Sequence, residues 1–316
     1  MIDYTISHRS HYASSAELPA CGHYDIFIAA YTEDDRARQI YDNVESTRKV
    51  WIILPEYQFS GTLPVEERLE AGEATNEAEF FSDLVQQLGL RAGIRLAIDI
   101  SGLLAPYLLF LIRRLTALGI VNIDVLYAEP ARYIEREETQ FSDEIVSEVR
   151  QVFGYQGAHT TDTNADVLIV GCGYDHQLLK SVAEAKEGCR TIQMFGLPAL
   201  KPDMYQQNIL RAMRASESMG RGAGEHPNNH FVPAHDPFRV ATFLSTLHSK
   251  EKFTNLYLCP LATKPQILGF GLFYVTECVS EPVSILYPIC NSFPARTSTG
   301  VGRIWRYCTE FDFVKP

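Results

Sequence analysis

The sequence lacks the positive charge that binding to a nucleic-acid duplex requires. Lys and Arg total 28 against 39 Asp and Glu, which gives a net charge of −11. An acidic chain has no overall field that would hold a polyanionic duplex, although a local basic patch can still bind a small anion. With 46% hydrophobic and 21% charged residues, the chain has the composition of a globular protein. These numbers favour a small molecule or another protein as the partner.

Paired cysteines and long hydrophobic runs are also missing. The seven cysteines are scattered and odd in number, and no CxxC occurs, which argues against a disulfide framework or a thiolate zinc site. The longest apolar run, residues 103–112, ends at Arg113 and falls short of the ~20 residues that cross a bilayer. The N-terminus lacks the apolar core of a signal peptide. We therefore expect a cytoplasmic protein with no membrane partner.

Several catalytic and cofactor motifs are absent as well. Neither GxxxxGK[ST] nor GxSxG occurs, which disfavours a P-loop ATPase and the usual nucleophile elbow. The turn Gly171–Gly173 resembles a fragment of the dinucleotide fingerprint, but His176 stands where the third glycine would be. Small residues that ease a tight strand-to-helix turn are the alternative explanation. The sequence predicts no cofactor.

What is present is an alternation of β-branched runs with amphipathic stretches, which indicates βαβ units and an α/β fold with mainly parallel sheets. The predicted strands are 25–30, 49–54, 94–100, 122–127, 166–171, 191–195, 255–259 and 283–287. The predicted helices are 34–44, 77–88, 103–118, 177–185, 237–247 and 266–278.

An internal repeat organises these elements. Residues 76–127 align with 236–287 without a gap, which places Leu96 on Leu256 and Phe110 on Phe270. The pattern predicts two Rossmann-like halves related by duplication and packed as a pseudo-dimer, although any two α/β halves share an apolar rhythm. The predicted domains are 1–153 and 164–316, the second including a C-terminal polar loop and a closing strand. The boundary is predicted at 154–163, which has linker composition.

Candidate ligand-binding residues lie where predicted strands lead into helices, because parallel sheets bind ligands at the carboxyl ends of their strands. We expect them to line a cleft between the halves. Thr263 and Lys264 form a good pair for one phosphate, with a solvated lysine as the alternative. The candidates are Thr32, Ser101, Gly102, Gly171, Gly173, Tyr174, Thr263 and Lys264.

Cations, hydroxyls and glycines are concentrated near the C-terminus in residues 294–307. Such a loop can fold over a sheet edge and close on an anion. The alternative is a β-hairpin turn before a closing strand at 301–311, with its arginines on the solvent face. The residues of the predicted clamp are Arg296, Ser298, Thr299, Arg303 and Arg306.

The Thr263-Lys264 turn and the stretch Asp99–Gly102 resemble the end-of-strand motif of CARF-type Rossmannoid domains. The tandem arrangement is similar to SAVED domains, which are fused CARF-like pairs. This resemblance implies binding of a cyclic or linear oligonucleotide signal in prokaryotic defence or regulation. The family's fuller glycine-rich pattern is missing at Leu261-Ala262, and no effector domain is evident, so an effector protein would be encoded separately.

The sequence leaves three hypotheses about function open. The first is a sensor that binds a small anionic nucleotide-type ligand. The second is a nucleotide-processing hydrolase or glycosyl-transferring enzyme with Glu56, Asp99 or Glu129 as acid–base groups, and the third is a non-catalytic regulatory or scaffold subunit. His226, His230 and His235 could ligate a metal, but the Pro and Asn residues between them break any single helical face.

Overall fold

The computed structural model of the protein describes residues 2–72, 76–134, 146–173, 175–201, 210 and 228–310. The fold is mixed α/β with two mainly parallel sheets. The strands are β1 (Arg9–Tyr12), β2 (Tyr24–Ala30), β3 (Ser46–Ile53), β4 (Arg68–Glu70), β5 (Leu96–Asp99), β6 (Asn122–Tyr133), β7 (Val146–Gln151), β8 (Val167–Gly171), β9 (Arg190–Gly196), β10 (Asn228–Val232), β11 (Leu256–Pro260), β12 (Val283–Cys290) and β13 (Ser298–Glu310). The α-helices are α1 (Asp35–Asn43), α2 (Glu77–Leu88), α3 (Ala105–Ala117), α4 (His176–Ala185), α5 (Pro237–Lys250) and α6 (Lys264–Phe273).

The chain divides into two compact units. The first unit comprises Ser7–Asp143 and Ser292–Pro316, and the second comprises Met1–Ile6 and Glu144–Asn291. The predicted division placed the closing strand in the second half and the boundary at 154–163. In the structure β13 pairs with β6, and residues 154–163 belong to the second unit. Hydrogen bonds hold this stretch to the sheet, for example from the Thr160 amide to Asn255 Oδ1 at 2.8 Å.

In the first unit, the sheet has the order β1-β13-β6-β5-β2-β3-β4. The five strands β2 to β6 run parallel, whereas β13 pairs antiparallel with both β6 and β1. Counted along the chain, the parallel strands lie in the order 3-2-1-4-5, which matches the first five strands of the Rossmann order 3-2-1-4-5-6. β5 is entirely buried, and this burial explains its short, wholly apolar run before Asp99.

The second unit repeats this order. Its sheet is β10-β9-β8-β11-β12-β7, with β8 to β12 parallel and β7 antiparallel to β12. The parallel strands again lie in the order 3-2-1-4-5, and the aligned stretches 76–127 and 236–287 supply the fourth and fifth strands of each sheet. Rossmann-like sheets in general share this order. Duplication of one ancestral unit therefore stays a prediction.

The helices match their sequence signals closely. The α2 helix spans the predicted residues because Asn76 accepts hydrogen bonds from the amides of Ala78 and Glu79, while Gly89 ends the helix at a positive φ of 63°. Asp175 and Asp236 cap α4 and α5 in the same way. None of the helices in the described ranges combines the length and apolar character that a bilayer crossing requires.

Candidate functional site

The clearest concentration of buried polar side chains lies at the carboxyl ends of the parallel strands in the first unit. β2 and β5 are neighbours there, with Ala29 opposite Asp99. The chain leaves β2 toward β3 on one side and leaves β5 toward β6 on the other. In open α/β sheets, ligands bind at such a point of reversal. A Cβ at Gly102 would lie 2.6 Å from the Ala30 carbonyl oxygen, so only glycine fits between the two strand ends.

Asp99 is fully buried at this point. Its Oδ1 atom accepts hydrogen bonds from the Ser101 amide at 3.0 Å and the Ser101 hydroxyl at 2.6 Å. Its Oδ2 atom is buried without a hydrogen-bond partner in the part of the chain that the structure describes. Burial raises the pKa of Asp99 to about 6, although the bonds from Ser101 and the charge of Arg36 act to lower it. The sheet thus holds a titratable carboxyl with one unused acceptor.

The Ser101 hydroxyl has a structural role that the sequence did not reveal. It donates to Asp99 and accepts a hydrogen bond from the Ala128 amide at 2.9 Å. Both interactions tie the end of β5 to β6, so the hydroxyl is already engaged. The predicted contact of Ser101 with a ligand stays a prediction.

Glu56 follows β3 in a short helical turn, Pro55–Tyr57. Its Oε1 atom accepts a hydrogen bond from the Tyr107 hydroxyl at 2.9 Å, and its Oε2 atom is buried without a partner among the described residues. Burial raises the pKa of the Glu56 carboxyl, and the charge of Glu77 adds to this effect. Neighbouring Tyr57 donates to the Gly102 carbonyl oxygen at 2.6 Å. This bond links the ends of β3 and β5.

Glu129, the third predicted acid–base group, lies on β6 and is 5% exposed. Its Oε1 atom accepts a hydrogen bond from the Trp305 indole at 2.7 Å. Because Trp305 lies on β13, this bond holds the last strand on the sheet. Thr32 is also buried, just beyond the end of β2. The roles predicted for Glu129 and Thr32 are not tested by these contacts.

A buried ion pair beside the site was not predicted. Arg36 in the first turn of α1 donates to Asp34 Oδ2 at 2.6 Å and to the Ala128 carbonyl oxygen at 3.1 Å. The sequence does not predict this ion pair, because an arginine beside two aspartates at the start of a polar helix is typical of a solvent-exposed residue. The fold buries it because the first turn of α1 packs against β6 and β13.

Residues 292–297, which we call the strap, connect β12 to β13 and cross the same edge of the sheet. The Phe293 amide donates to the Glu56 carbonyl oxygen at 2.8 Å, and the Glu33 amide donates to the Ala295 carbonyl oxygen at 2.9 Å. The predicted clamp is thus a strap followed by a strand that begins at Ser298. Arg296 is exposed on the strap, Ser298 is fully buried, and Thr299 is paired with Arg132 in the β13–β6 register.

The three arginines of the predicted clamp do not come together. Arg306 bonds Asp124 at 2.7 Å near the start of β6, which is the opposite end of the parallel strands from Asp99. The exposed guanidinium of Arg303 lies 5.5 Å from the centre of the Trp305 ring. Since β13 extends over thirteen residues, Arg303 and Arg306, six and nine positions beyond the strap, are carried along the sheet.

In the second unit, the glycine turn after β8 has a steric explanation. A Cβ at Gly173 would lie 1.7 Å from the Leu261 carbonyl oxygen, and one at Gly171 would lie 3.1 Å from the Phe270 ring. The turn packs against the end of β11, where strands one and four of this sheet meet. Tyr174 lies outside the described residues. Binding of phosphate by this turn stays a prediction.

Thr263 and Lys264 begin α6, as predicted. The Thr263 hydroxyl donates to the Ala234 carbonyl oxygen, and its side chain and Gln266 form a capping box. Capping therefore explains the threonine, whereas Lys264 is partly buried at the first helical position. Contact of the pair with a phosphate remains a prediction.

The histidines proposed as metal ligands do not form a metal-binding cluster among the described residues. No cluster of three or more His, Cys, Asp or Glu that would hold a metal occurs among the described residues, and His226 lies outside them. His230 packs 5.0 Å from the Phe243 ring, and burial lowers its pKa, while His235 immediately precedes the cap of α5. Burial raises the pKa of the Cys172 thiol to about 12, so it stays protonated and unreactive near neutrality.

A surface cavity of about 480 Å³ lies near the start of β3 in the first unit. Its lysine, Lys49, donates to the Tyr41 carbonyl oxygen at 2.7 Å, and His23 bonds Thr47 at 2.8 Å. These side chains complete the end of α1 and the start of the sheet. The cavity contains none of the predicted site residues.

Comparisons with known proteins place the chain in no family. No family model matches it, and no curated protein matches it. Among solved structures, it is similar to the CobK precorrin-6A reductase, with 12% sequence identity over 86% of this chain and 91% of that chain. The TM-score of 0.25 is too low for this likeness to support an argument about function.

Proposed function

We propose that the chain binds a nucleotide-type small molecule through its sugar and base at the carboxyl edge of the first sheet. The observation that carries the proposal is the buried Oδ2 atom of Asp99, which has no hydrogen-bond partner among the described residues and lies where the strand order reverses. An unpaired buried carboxylate oxygen costs free energy, so its retention fits a ligand that supplies the missing donor.

The chemistry of the edge favours hydroxyl and amino groups over phosphate. Glu56 offers a second unpartnered carboxylate oxygen after β3, the second strand of the Rossmann-like order. In dinucleotide-binding sheets, an acidic residue at this position holds the ribose hydroxyls. Carboxylates accept hydrogen bonds from a ribose diol or a base amino group and repel phosphate oxygens. Arg296, exposed on the strap, is the cation that we assign to the phosphate.

Calorimetric titration tests this proposal. The panel consists of the four nucleoside 5′-monophosphates, a cyclic dinucleotide, and cyclic tri- and tetranucleotides, which also probes the resemblance to CARF and SAVED sensors. We expect heat from at least one member, with affinity reduced about tenfold or more in Asp99→Asn and Glu56→Gln because each loses a charged acceptor. Glu66→Gln, a partly exposed carboxylate paired with Arg38, is the matched control. Absence of heat from the whole panel would refute the proposal.

A second candidate function is turnover of the nucleotide at the same edge. The observation that favours it is that burial raises the pKa of both Glu56 and Asp99, as general acids require near neutrality. Incubation of the panel with the protein, followed by chromatography, separates the two functions. Release of free base by the wild type that is abolished in Glu56→Gln or Asp99→Asn at nucleotide concentrations that saturate the variant would establish an enzyme. Unchanged ligand after prolonged incubation supports a binding protein.

A further inference from the structure

Access to Asp99 requires part of the first unit to move. Its side chain is 0% exposed, so a ligand cannot reach Oδ2 in the conformation described. The strap crosses the ends of β2 and β3, where backbone hydrogen bonds join it to Glu33 and Glu56. The strap has no regular secondary structure, and neither do residues 31–34, 58–67 and 100–104, which also follow strands at this edge. Opening such a segment costs less than detaching a strand, so the strap can move while the sheet stays intact.

One carboxylate holds the strap to the start of α1. Asp34 Oδ1 accepts hydrogen bonds from the amides of Thr297 at 3.0 Å and Ser298 at 2.9 Å. Asp34 Oδ2 accepts from the Thr297 hydroxyl at 3.3 Å and from Arg36 at 2.6 Å. Asp34 stands at the helix N-terminus, where a Rossmann-like site would hold a ligand phosphate, but it makes no capping bond of its own. Its carboxylate oxygens instead accept hydrogen bonds from the strap and from Ser298.

We infer that the strap is a gate over the Asp99 site and that the Asp34 carboxylate is its latch. Release of the two amides frees the chain between β12 and β13 and uncovers the strand ends that carry Asp99 and Glu56. The identity of the admitted ligand rests on the proposed function, whereas the motion itself does not. Arg36 connects the latch to the site, because it bonds Asp34 and its charge acts on Asp99.

The closed state leaves polar groups beside the latch unsatisfied. The Ser298 hydroxyl and the Arg36 Nε atom are both buried without a hydrogen-bond partner among the described residues. Unpartnered buried donors weaken the closed state relative to a fully bonded one. Charge-assisted bonds to Asp34 thus add to the backbone hydrogen bonds that join the strap to Glu33 and Glu56, and a single substitution at Asp34 weakens them.

The rate of trypsin cleavage measures opening of the strap in the absence of any ligand. Arg296 is exposed, but cleavage after it requires local release of the latched residues that follow. In Asp34→Asn we expect cleavage after Arg296 to be about tenfold faster, because the charged acceptor becomes neutral. Asp42→Asn, on the exposed face of the same helix, serves as the control and leaves the rate unchanged. Asp35→Asn weakens the hydrogen bond from the Gly300 amide and should give a smaller increase in the rate of cleavage after Arg296. This variant provides the test if Asp34→Asn fails to fold.

Cleavage after Arg303, inside β13, distinguishes opening of the strap from loss of the whole strand. It should remain slow in the Asp34 variant, as in the wild type. Equal acceleration at Arg296 and Arg303 would mean that β13 detaches, and this result would overturn the gate. Unchanged cleavage after Arg296 in both Asp34→Asn and Asp35→Asn would overturn the latch.

Carbodiimide labelling with glycine methyl ester tests whether the strap controls access to Asp99. Peptide mass spectrometry should show about tenfold faster labelling of Asp99 in Asp34→Asn than in the wild type, with labelling of Glu67 unchanged as the exposed reference. A strap that opens while Asp99 labelling stays constant would overturn the gate. Faster labelling without binding of any nucleotide would refute the proposed function and leave the gate intact.

Discussion

At the residue scale, the candidate site contains buried polar atoms without partners among the described residues, and such atoms would destabilise a purely structural core. Asp99 is buried with one acceptor unused among the described residues, and Glu56 repeats the same arrangement after β3, which β2 separates from β5. Stability and function commonly conflict at such positions, because a ligand-ready group is unsatisfied until the ligand arrives. Because these unsatisfied groups lower the stability of the folded protein, measurements of unfolding can test the site without a ligand.

The pH dependence of stability should identify Asp99. Burial raises its pKa from 3.8 to about 6, so the folded state is favoured when the carboxyl is protonated. The stabilisation is fully present below the unfolded pKa and is lost as pH rises from about 4 through 6, to the extent of about 3 kcal/mol. Asp99→Asn should remove this loss, as measured by urea unfolding at pH 4.5 and 7. Parallel pH dependence in the variant and the wild type would contradict the assignment.

At the element scale, the sequence predicted the regular strands and helices well and the irregular contacts poorly. The α2 helix was predicted to the residue because a capping asparagine, an apolar stripe and a terminal glycine all agree. β1, β4, β7 and β10 were not predicted, because each is a short strand at the edge of its sheet. The carboxylates at strand ends were predicted from position, whereas Arg36 bonds Ala128, 92 residues away, and the Asp34 latch depends on a segment more than 260 residues away.

The glycine turn of the second unit supplies a prediction at this scale. Gly173→Ala should destabilise the protein by about 3 kcal/mol or more, since a Cβ there would overlap the Leu261 carbonyl oxygen. Gly171→Ala is the matched comparison and should cost less, because its nearest neighbour is a ring that can shift. Thermal unfolding of both variants measures the difference. Equal stabilities would show that the close approach does not explain the turn.

At the scale of the whole molecule, the two sheets share a strand order and also a reciprocal connection. The strand that follows β6 pairs with β12, and the strand that follows β12 pairs with β6. Alternating helices and strands predicted two halves, but the apolar rhythm contains no information about which sheet receives a final strand. That choice depends on long-range pairing, which local periodicity does not encode.

Removal of residues 292–316 should therefore affect the units differently. The first sheet loses β13 together with the buried Trp305 and Tyr307, and β1 loses its partner strand. The six strands of the second sheet all remain. Hydrogen-exchange mass spectrometry should show lost protection in β5 and β6 and retained protection in β8 and β11. Equal loss in both sheets would contradict the division of the chain.

The most direct test of the central claim compares binding and stability in one pair of proteins. The account predicts that Asp99→Asn binds the best nucleotide of the calorimetric panel about tenfold more weakly than the wild type, while it loses less stability between pH 4.5 and 7. Equal affinity of the two proteins for that nucleotide would contradict the assignment of Asp99 to the ligand site.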